Sequence, residues 1–105
     1  MYIRLTFCKF LPDRIKEAKR IYKHEILPVI KNQRGNLEVH LLEPTDTADD
    51  FISLTQWKTK ADAEAYEASG LYKSMVNKLD GLMMKEPVLK TFSTEDTVIT
   101  AFEQW

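Results

Sequence analysis

Two tyrosines and a tryptophan are the residues best suited to bind or steer an aromatic molecule. Trp57 ends a run of alternating residues, and Tyr66 and Tyr72 follow it, six residues apart. On an unbroken helix this spacing places the two phenols roughly 120° apart around the axis. Either phenol can donate a hydrogen bond to a ligand oxygen, and an indole can stack on a flat ring. The alternative is that all three pack in the core, the phenols with their hydroxyls at its rim.

The remaining groups with useful chemistry are two histidines and one cysteine, His24, His40 and Cys8. The histidines lie on different predicted elements, so we do not expect them to meet a carboxylate around one metal ion, and no metal site is predicted. Either could act as a single general base, because its ordinary pKa lies near neutrality, or could be a partly exposed side chain. Cys8 has no neighbouring base in the sequence, which indicates an inert packing thiol.

Four strands must position these groups. Apolar and polar residues alternate over residues 2–10, 36–43, 51–58 and 87–93, and helical patterns separate the first from the second and the third from the fourth. The order predicts an α+β, ferredoxin-like βαββαβ fold, an antiparallel sheet with two helices on one face. We expect one domain over residues 1–105, in which about 94–105 are a C-terminal extension or a short extra strand at 98–102.

The first helix carries two prolines with different consequences. Pro12 and Asp13 suit its first turn, where a missing N–H costs nothing and a carboxylate meets the helix dipole. Pro28 lies inside the apolar pattern and removes the hydrogen bond to the carbonyl of His24, so we expect a kink or a break there. Gly35 is a natural stop, in the position of a left-handed C-cap.

The second helix opens with a capping motif. Thr59 and Asp62 have the spacing of a capping box, and we expect Gly70 to interrupt the helix, with Ser69 capping its second half. Read as one helix, the segment has an apolar face made of Ala65, Ala68, Tyr72, Met75, Leu79 and Leu82.

Composition excludes several classes of protein. The 105 residues are 44% hydrophobic and 30% charged, with a net charge of −1 and no basic stripe, which argues against a disordered chain and against nucleic acid binding. No apolar run approaches the ~20 residues of a membrane span, and the first residues do not follow the pattern of a signal peptide. We therefore expect no membrane partner and a cytoplasmic location.

The third strand indicates a homodimer. One of its faces carries Phe51 and Trp57, and the other carries Ile52 and Leu54, so both faces are apolar. The two predicted helices cover one face only, and a chain this short has no third layer to cover the other. A second copy of the same sheet would bury it.

The third strand and second helix also carry a family resemblance. The run from Phe51 to Ala63, FISLTQWKTKADA, continues through Tyr66, Ser69 and Tyr72, and it resembles the antibiotic biosynthesis monooxygenase (ABM) domain. That family has a strand ending in Trp-x-Ser/Thr, followed by a helix with an aromatic residue and a Ser-x-x-Phe/Tyr step. The βαββαβ order fits it over nearly the whole chain.

The resemblance implies a dimeric α/β barrel, in which two sheets face each other and each subunit has a cavity between its own sheet and helices. Some members oxidise quinols or anthrone-type aromatics with dioxygen and no cofactor, others degrade haem, and others handle small signalling molecules. The haem-degrading branch has Asn, Trp and His at positions that fall here on Phe7, Tyr66 and Val76. A valine cannot ligate iron and a phenylalanine cannot hydrogen-bond a distal ligand, which argues against haem degradation.

Two functions remain open. The resemblance favours a cofactor-independent monooxygenase acting on an electron-rich aromatic or quinol, with Trp57, Tyr66 and Tyr72 as candidate catalytic residues. The same hypothesis assigns substrate contacts to four further residues: Phe7, Ser53, Met75 and Val76. The alternative is a dimer of the same fold that binds a small molecule, or has a structural role, without catalysis.

Overall fold

Four antiparallel strands form one sheet in the computed structural model, which describes residues 1–94. Within this range the spatial order is β2-β3-β1-β4, as the βαββαβ order predicts for this fold. The predicted fold class and antiparallel sheet are confirmed, and the predicted strand or arm at 98–102 lies outside the described residues. The strands are β1 Tyr2–Cys8, β2 Asn36–Leu42, β3 Phe51–Trp57 and β4 Val88–Ser93.

The connection from β1 to β2 is a helix that changes its winding. A 3-10 turn at Pro12–Arg14 leads into α1, Ile15–Ile21, which continues as a π-helical segment, Tyr22–Ile26, and then as α2, Leu27–Lys31. The N–H of Leu27 donates to the carbonyl of Tyr22, five residues earlier. Pro28 lacks an N–H, so the α-helical bonding pattern cannot pass through it unchanged. The expected kink or break is a widened turn just before the proline.

The connection from β3 to β4 begins with two short helices, α3, Lys60–Ala68, and α4, Leu71–Asn77. The Thr59 hydroxyl accepts a hydrogen bond from the Asp62 N–H at 3.1 Å, which confirms the predicted cap. Gly70 separates the helices with a φ of +87°, and the Ser69 hydroxyl accepts from the Leu71 N–H at 3.3 Å. The break rotates α4 relative to α3, so a single apolar face does not run through both helices. As a result, α3 buries Ala63 and Tyr66 in place of the predicted Ala65 and Ala68.

The helices cover one face of the sheet. On β1 this inner face carries Arg4, Thr6 and Cys8, all buried, and on β3 it carries Thr55 and Trp57 among others. The core therefore includes polar side chains from the centre of the sheet as well as the apolar faces of the helices.

The outer face of the sheet carries eight apolar side chains, beside the polar Glu38, His40, Gln56 and Lys90, and is covered by no other element of residues 1–94. Strand register places β1 residues opposite β3 and β4 residues of the same face, for example Leu5 beside Leu54 and Phe7 beside Val88. Val88 and Phe92 are about half exposed. The apolar residues of this face are Ile3, Leu5, Phe7, Leu42, Ile52, Leu54, Val88 and Phe92.

Candidate functional site

A cavity of about 40 Å³ lies between the inner face of the sheet and the helices. A buried water needs ~10–15 Å³, so the cavity has room for about three waters. Its wall is mostly apolar, with hydroxyl, thiol and guanidinium groups on the side of the sheet and phenols on the side of the helices. It is lined by Arg4, Thr6, Cys8, Tyr22, Ile26, Ile30, Ser53, Thr55, Tyr66, Tyr72, Met75, Val76, Leu79, Met83 and Pro87.

Five of the seven residues singled out in the sequence lie on this wall. Ser53 comes from β3, Tyr66 from α3, and Tyr72, Met75 and Val76 from α4. They meet because the second helical connection crosses the inner face of the sheet directly after β3. The structure gives the positions of these residues on the cavity wall. Their roles in catalysis or substrate binding stay predictions.

Trp57 lies behind the wall. Its side chain has no exposed surface, stacks on the Tyr66 ring at 5.1 Å between centroids, and donates from Nε1 to the Thr55 hydroxyl at 2.9 Å. Tyr66 stands between the indole and the cavity. The indole therefore supports the ring of Tyr66, which is the packing alternative considered from the sequence.

Phe7 lies on the opposite face of the sheet from the cavity. It alternates with the inward-facing Thr6 and Cys8, and the Lys90 ammonium lies 5.5 Å from its ring centroid. Phe7 lies outside the cavity, because neighbouring residues of a strand point to opposite faces, and its predicted substrate contact stays a prediction. Phe7 lines a shallow depression on the outer face, beside Leu42 and Ile52.

Arg4 is the group that the sequence analysis did not identify. Its side chain is only 5% exposed, and its Nη1 donates to Oε1 of Glu67, a half-exposed residue of α3, at 2.5 Å. The guanidinium carbon lies 4.6 Å from the centroid of the Tyr72 ring, within the range of a cation–π contact. Its Nη2 is buried and has no hydrogen-bond partner. An arginine on the inner face places a fixed positive charge in the cavity wall.

Tyr66 is the second polar group without a partner. Its hydroxyl is buried and makes no hydrogen bond. Burial raises the pKa of this phenol well above its usual range, and the nearby Arg4 charge offsets only part of that shift. The hydroxyl therefore stays protonated and can donate a hydrogen bond, whereas it cannot accept a proton as a base near neutral pH.

Tyr22 brings a third phenol to the cavity from the π-helical segment. Its hydroxyl lies 2.7 Å from the Ser53 hydroxyl and donates to the His40 carbonyl at 3.3 Å. Burial raises the pKa of Tyr22 to about 12, and the hydrogen bond with Ser53 opposes the shift. Because π-helical segments are frequent at functional sites, the position of this one beside a cavity is notable.

No histidine or carboxylate of residues 1–94 lines the cavity. His24 and His40 are both exposed, and His40 faces Glu38 at 3.4 Å on the outer face of the sheet. Residues 1–94 contain no group of three or more His, Cys, Asp or Glu side chains that could hold a metal ion. Burial raises the pKa of the Cys8 thiol to about 11, so it is neutral at physiological pH. The wall therefore offers donors and one fixed cation.

The cavity reaches the surface beside α4. Tyr72, Val76 and Pro87 line both the cavity and a shallow depression outside it, which Glu67 also borders. Met83 joins Val76 and Pro87 at the edge of a second depression. Tyr72 and Val76 are on α4, and Met83 and Pro87 follow it in the chain. The mouth of the cavity is therefore formed by α4 and the segment after it.

A cavity between sheet and helices is the arrangement that the family resemblance implies. A sequence profile of the family described as "Antibiotic biosynthesis monooxygenase" matches residues 1–78 of the chain. The chain belongs to this family. The match contains β1, the first helical connection, β2, β3, α3 and α4, and so nearly every element that lines the cavity. No curated protein sequence matches the chain.

Solved structures of ABM proteins share this fold. An antibiotic biosynthesis monooxygenase assigned in Nitrosomonas europaea superposes with a TM-score of 0.75 at 17% identity, covering 89% of this chain and 97% of that one. A protein of Deinococcus radiodurans assigned to the same family gives a TM-score of 0.79 at 12% identity, with 96% and 99% covered. Identities this low establish the fold alone.

A haem-degrading protein has the same fold. The heme-degrader MhuD from Mycobacterium tuberculosis, with two hemes bound in its active site, gives a TM-score of 0.72 at 16% identity, covering 96% of this chain and 99% of that one. Among the described residues, no histidine lines the cavity. Val76 and Phe7, which fall at the His and Asn positions of the haem-degrading branch, have apolar side chains. The likeness therefore concerns the fold alone.

The described residues include no helix that is long and apolar enough to cross a membrane.

Proposed function

We propose that this ABM protein is a cofactor-independent oxygenase that acts on an electron-rich aromatic or quinol-type molecule held in the cavity. The observation that carries the proposal is the composition of the wall: apolar and aromatic side chains, with phenols as hydrogen-bond donors, around a cavity between sheet and helices. Such a wall suits a flat aromatic ring that carries an oxygen substituent. Since the cavity holds about three waters, a ring enters only when Met75, Met83 and α4 adjust, and methionine adapts readily to shape.

The proposed chemistry needs a substrate that ionises and gives an electron to dioxygen. A methylene between two carbonyl-conjugated rings would lose a proton to form an enolate. This anion transfers one electron to dioxygen, and the two radicals combine through a new carbon–oxygen bond. Loss of water from the resulting peroxide leaves a carbonyl, so that R₂CH₂ and O₂ give R₂C=O and H₂O. The protein would hold the ring, donate hydrogen bonds to its oxygen and exclude water.

A non-catalytic role is supported by one specific observation. In the part of the chain that the structure describes, no histidine or carboxylate lines the cavity, and the thiol and the phenols of Cys8, Tyr22 and Tyr66 have raised pKa values. A general base near neutral pH is therefore lacking on the wall. A dimer that binds an aromatic ligand without converting it fits this composition, and oxygen consumption separates the two functions.

We further propose that the active form is a homodimer joined through the outer faces of two sheets. Eight apolar side chains lie on that face, including Leu5 and Leu54 at its centre and Phe92 near its edge. Exposed apolar side chains gathered on one face are typical of an interaction surface. The arrangement would give the α/β barrel that the family resemblance implies, with one cavity outside each sheet.

The test is dioxygen uptake by purified, metal-stripped protein with a panel of quinols and anthrone-like aromatics. We expect uptake well above the rate without protein, and its loss in Val76→Trp, which fills the mouth of the cavity without removing a polar group. Ser74→Trp is the matched control, because Ser74 is an exposed α4 residue outside the cavity wall.

Two results would count against catalysis. Uptake that Val76→Trp leaves unchanged would place the reaction elsewhere than in this cavity. Uptake at the protein-free rate across the panel, together with saturable binding of the same compounds, would support the ligand-binding dimer.

A further inference from the structure

Two buried hydrogen-bond donors in the cavity wall have no acceptor among residues 1–94. Nη2 of Arg4 and the hydroxyl of Tyr66 are inaccessible to solvent and unpaired, in residues that are each 4% exposed. Native proteins seldom leave such groups unsatisfied, because each one loses its hydration without gaining a partner. Both residues line the same cavity. A ligand in this cavity could supply the acceptor that both donors lack.

The charge of Arg4 specifies that acceptor further. Glu67 neutralises the guanidinium from one side, through Nη1, and is itself half exposed to solvent. The Tyr72 ring lies against the guanidinium without providing a hydrogen-bond acceptor of full strength. A guanidinium is always charged, and its hydrogen bonds to an anionic oxygen are about twice as strong as bonds between neutral groups.

We infer that the cavity binds its ligand as an anion, whose charged oxygen accepts from Arg4 Nη2 and the Tyr66 hydroxyl. The inference rests on the proposed function for the cavity as a ligand site and adds the chemical class of the ligand: a small aromatic phenolate or enolate. Arg4 and Tyr66 thereby select the ionised form of a compound over its neutral form. The positive charge of Arg4 lowers the pKa of a bound phenol. The phenol then ionises without a strong general base in the wall.

Neither donor changes its protonation near neutral pH. Arginine stays charged, and the pKa of Tyr66 lies above its usual range. The other titratable groups that face the pair are Cys8 on β1, Tyr22 on the π-helical segment, Tyr72 on α4 and Glu67 on α3. Among these four groups Glu67 is the one carboxylate. The pH dependence of binding should therefore follow the ionisation of the ligand.

The test uses 4-nitrophenol, whose phenolate absorbs visible light and whose pKa is near neutrality, and its methyl ether, 4-nitroanisole, as the neutral analogue. We expect the protein to lower the apparent pKa of nitrophenol and to bind the phenolate at least tenfold more tightly than the ether, which matches the strength of a charged hydrogen bond. Tyr66→Phe and Arg4→Met should each weaken phenolate binding by about tenfold or more and leave ether binding unchanged.

Two further variants sharpen the test. Tyr2→Phe removes a phenol from β1 outside the cavity wall and should bind like the unmodified protein. Glu67→Gln leaves Arg4 without its counter-charge, so phenolate binding should become roughly threefold to tenfold tighter. The melting temperature without ligand should not fall in Tyr66→Phe, because that change deletes an unsatisfied hydroxyl.

The outcomes separate this inference from the proposed function. Equal affinity for phenolate and ether, no binding of the phenolate, or phenolate binding that Tyr66→Phe leaves unchanged would overturn the anion site. Selective phenolate binding without any oxygen uptake would leave the anion site standing and remove the oxygenase. If Arg4→Met fails to fold, Tyr66→Phe and Glu67→Gln still decide the question.

Discussion

Three buried acidic groups in the cavity wall are held in their neutral forms by the surrounding protein. Burial is the largest cause of the raised pKa of Cys8, Tyr22 and Tyr66. A neutral phenol is a better hydrogen-bond donor to an anion than a phenolate, which cannot donate at all. The raised values therefore suit a wall that receives a negative oxygen, and they make proton abstraction by the wall an unsuitable mechanism.

The same groups should make folding sensitive to alkaline pH. Their pKa is higher in the folded state than in the unfolded chain, where Cys8 has about 9.0 and Tyr22 about 10.0. The unfolded state then releases protons first, so the free energy of unfolding is unaffected below about pH 9 and falls as pH rises towards the folded values of about 11 and 12. Urea denaturation from neutral pH to about pH 11 measures the decline.

A matched variant assigns the effect. Cys8→Ala should flatten the first part of the decline, above about pH 9, because it removes the group with the lowest unfolded pKa of the three. A first part of the same steepness in Cys8→Ala would attribute it to groups other than Cys8.

Arg4 explains why the site was only partly predictable at the residue level. Alternation placed Arg4, Thr6 and Cys8 together on one face of β1, and charge usually marks the solvent side of a strand. Here that face is the inner one. The identity of the buried face depends on which side the helices cover, and this follows from tertiary packing. The pairing of Arg4 with Glu67 joins residues 63 positions apart, which no local pattern contains.

At the scale of elements, the joint between β2 and α3 depends on a glycine. Gly35 has a φ of +79°, and its carbonyl accepts from the N–H of Lys58 at 2.8 Å. A Cβ at this position would overlap the side chain of Asp62, the residue that completes the cap with Thr59. The glycine thus allows the start of α3 to lie directly on the turn before β2.

Gly35→Ala should therefore destabilise the protein more than the same change at Gly81. Both glycines have positive φ, but a Cβ on Gly81 meets open space. The backbone strain costs about 1–2 kcal/mol in either variant, and the overlap with Asp62 adds about 1–3 kcal/mol in Gly35→Ala alone. Urea denaturation of the two variants measures the difference, and equal losses would contradict the overlap.

Helix boundaries were predictable where a local motif determines them. The Thr59 cap and the break at Gly70 follow from interactions between residues two or three apart, and both predictions are confirmed. The inward face of α3 was not predictable, because the break at Gly70 resets the helical phase. A single periodicity therefore cannot describe both helices. The first helix ends at Lys31, before Gly35, which lies in the following turn.

At the scale of the whole molecule, the apolar outer face predicts how the subunit behaves in solution. Leu54 lies on this face between Leu5 of β1 and His40 of β2. Leu54→Glu should convert the proposed homodimer into a monomer, because a buried charge without a partner is costly at an interface. Sedimentation velocity gives the mass directly.

Ala61→Glu is the control for this change, since it adds the same charge to the exposed side of α3. It should leave the mass unchanged. A monomer in the unmodified protein would contradict the proposal, as would a dimer that persists in Leu54→Glu.

The π-helical segment has an evolutionary consequence. A π turn accommodates one residue more than an α turn, as the bond from Leu27 back to Tyr22 shows, so this segment corresponds to a single-residue insertion in a regular helix. An ABM protein with a regular helix here would have one residue fewer between β1 and β2. An alignment without a gap, started from β1, would then pair each residue after the π turn with the neighbour of its true counterpart, which lies about 100° away around the helix. Ile30, which lines the cavity, would be matched with a residue that does not face it.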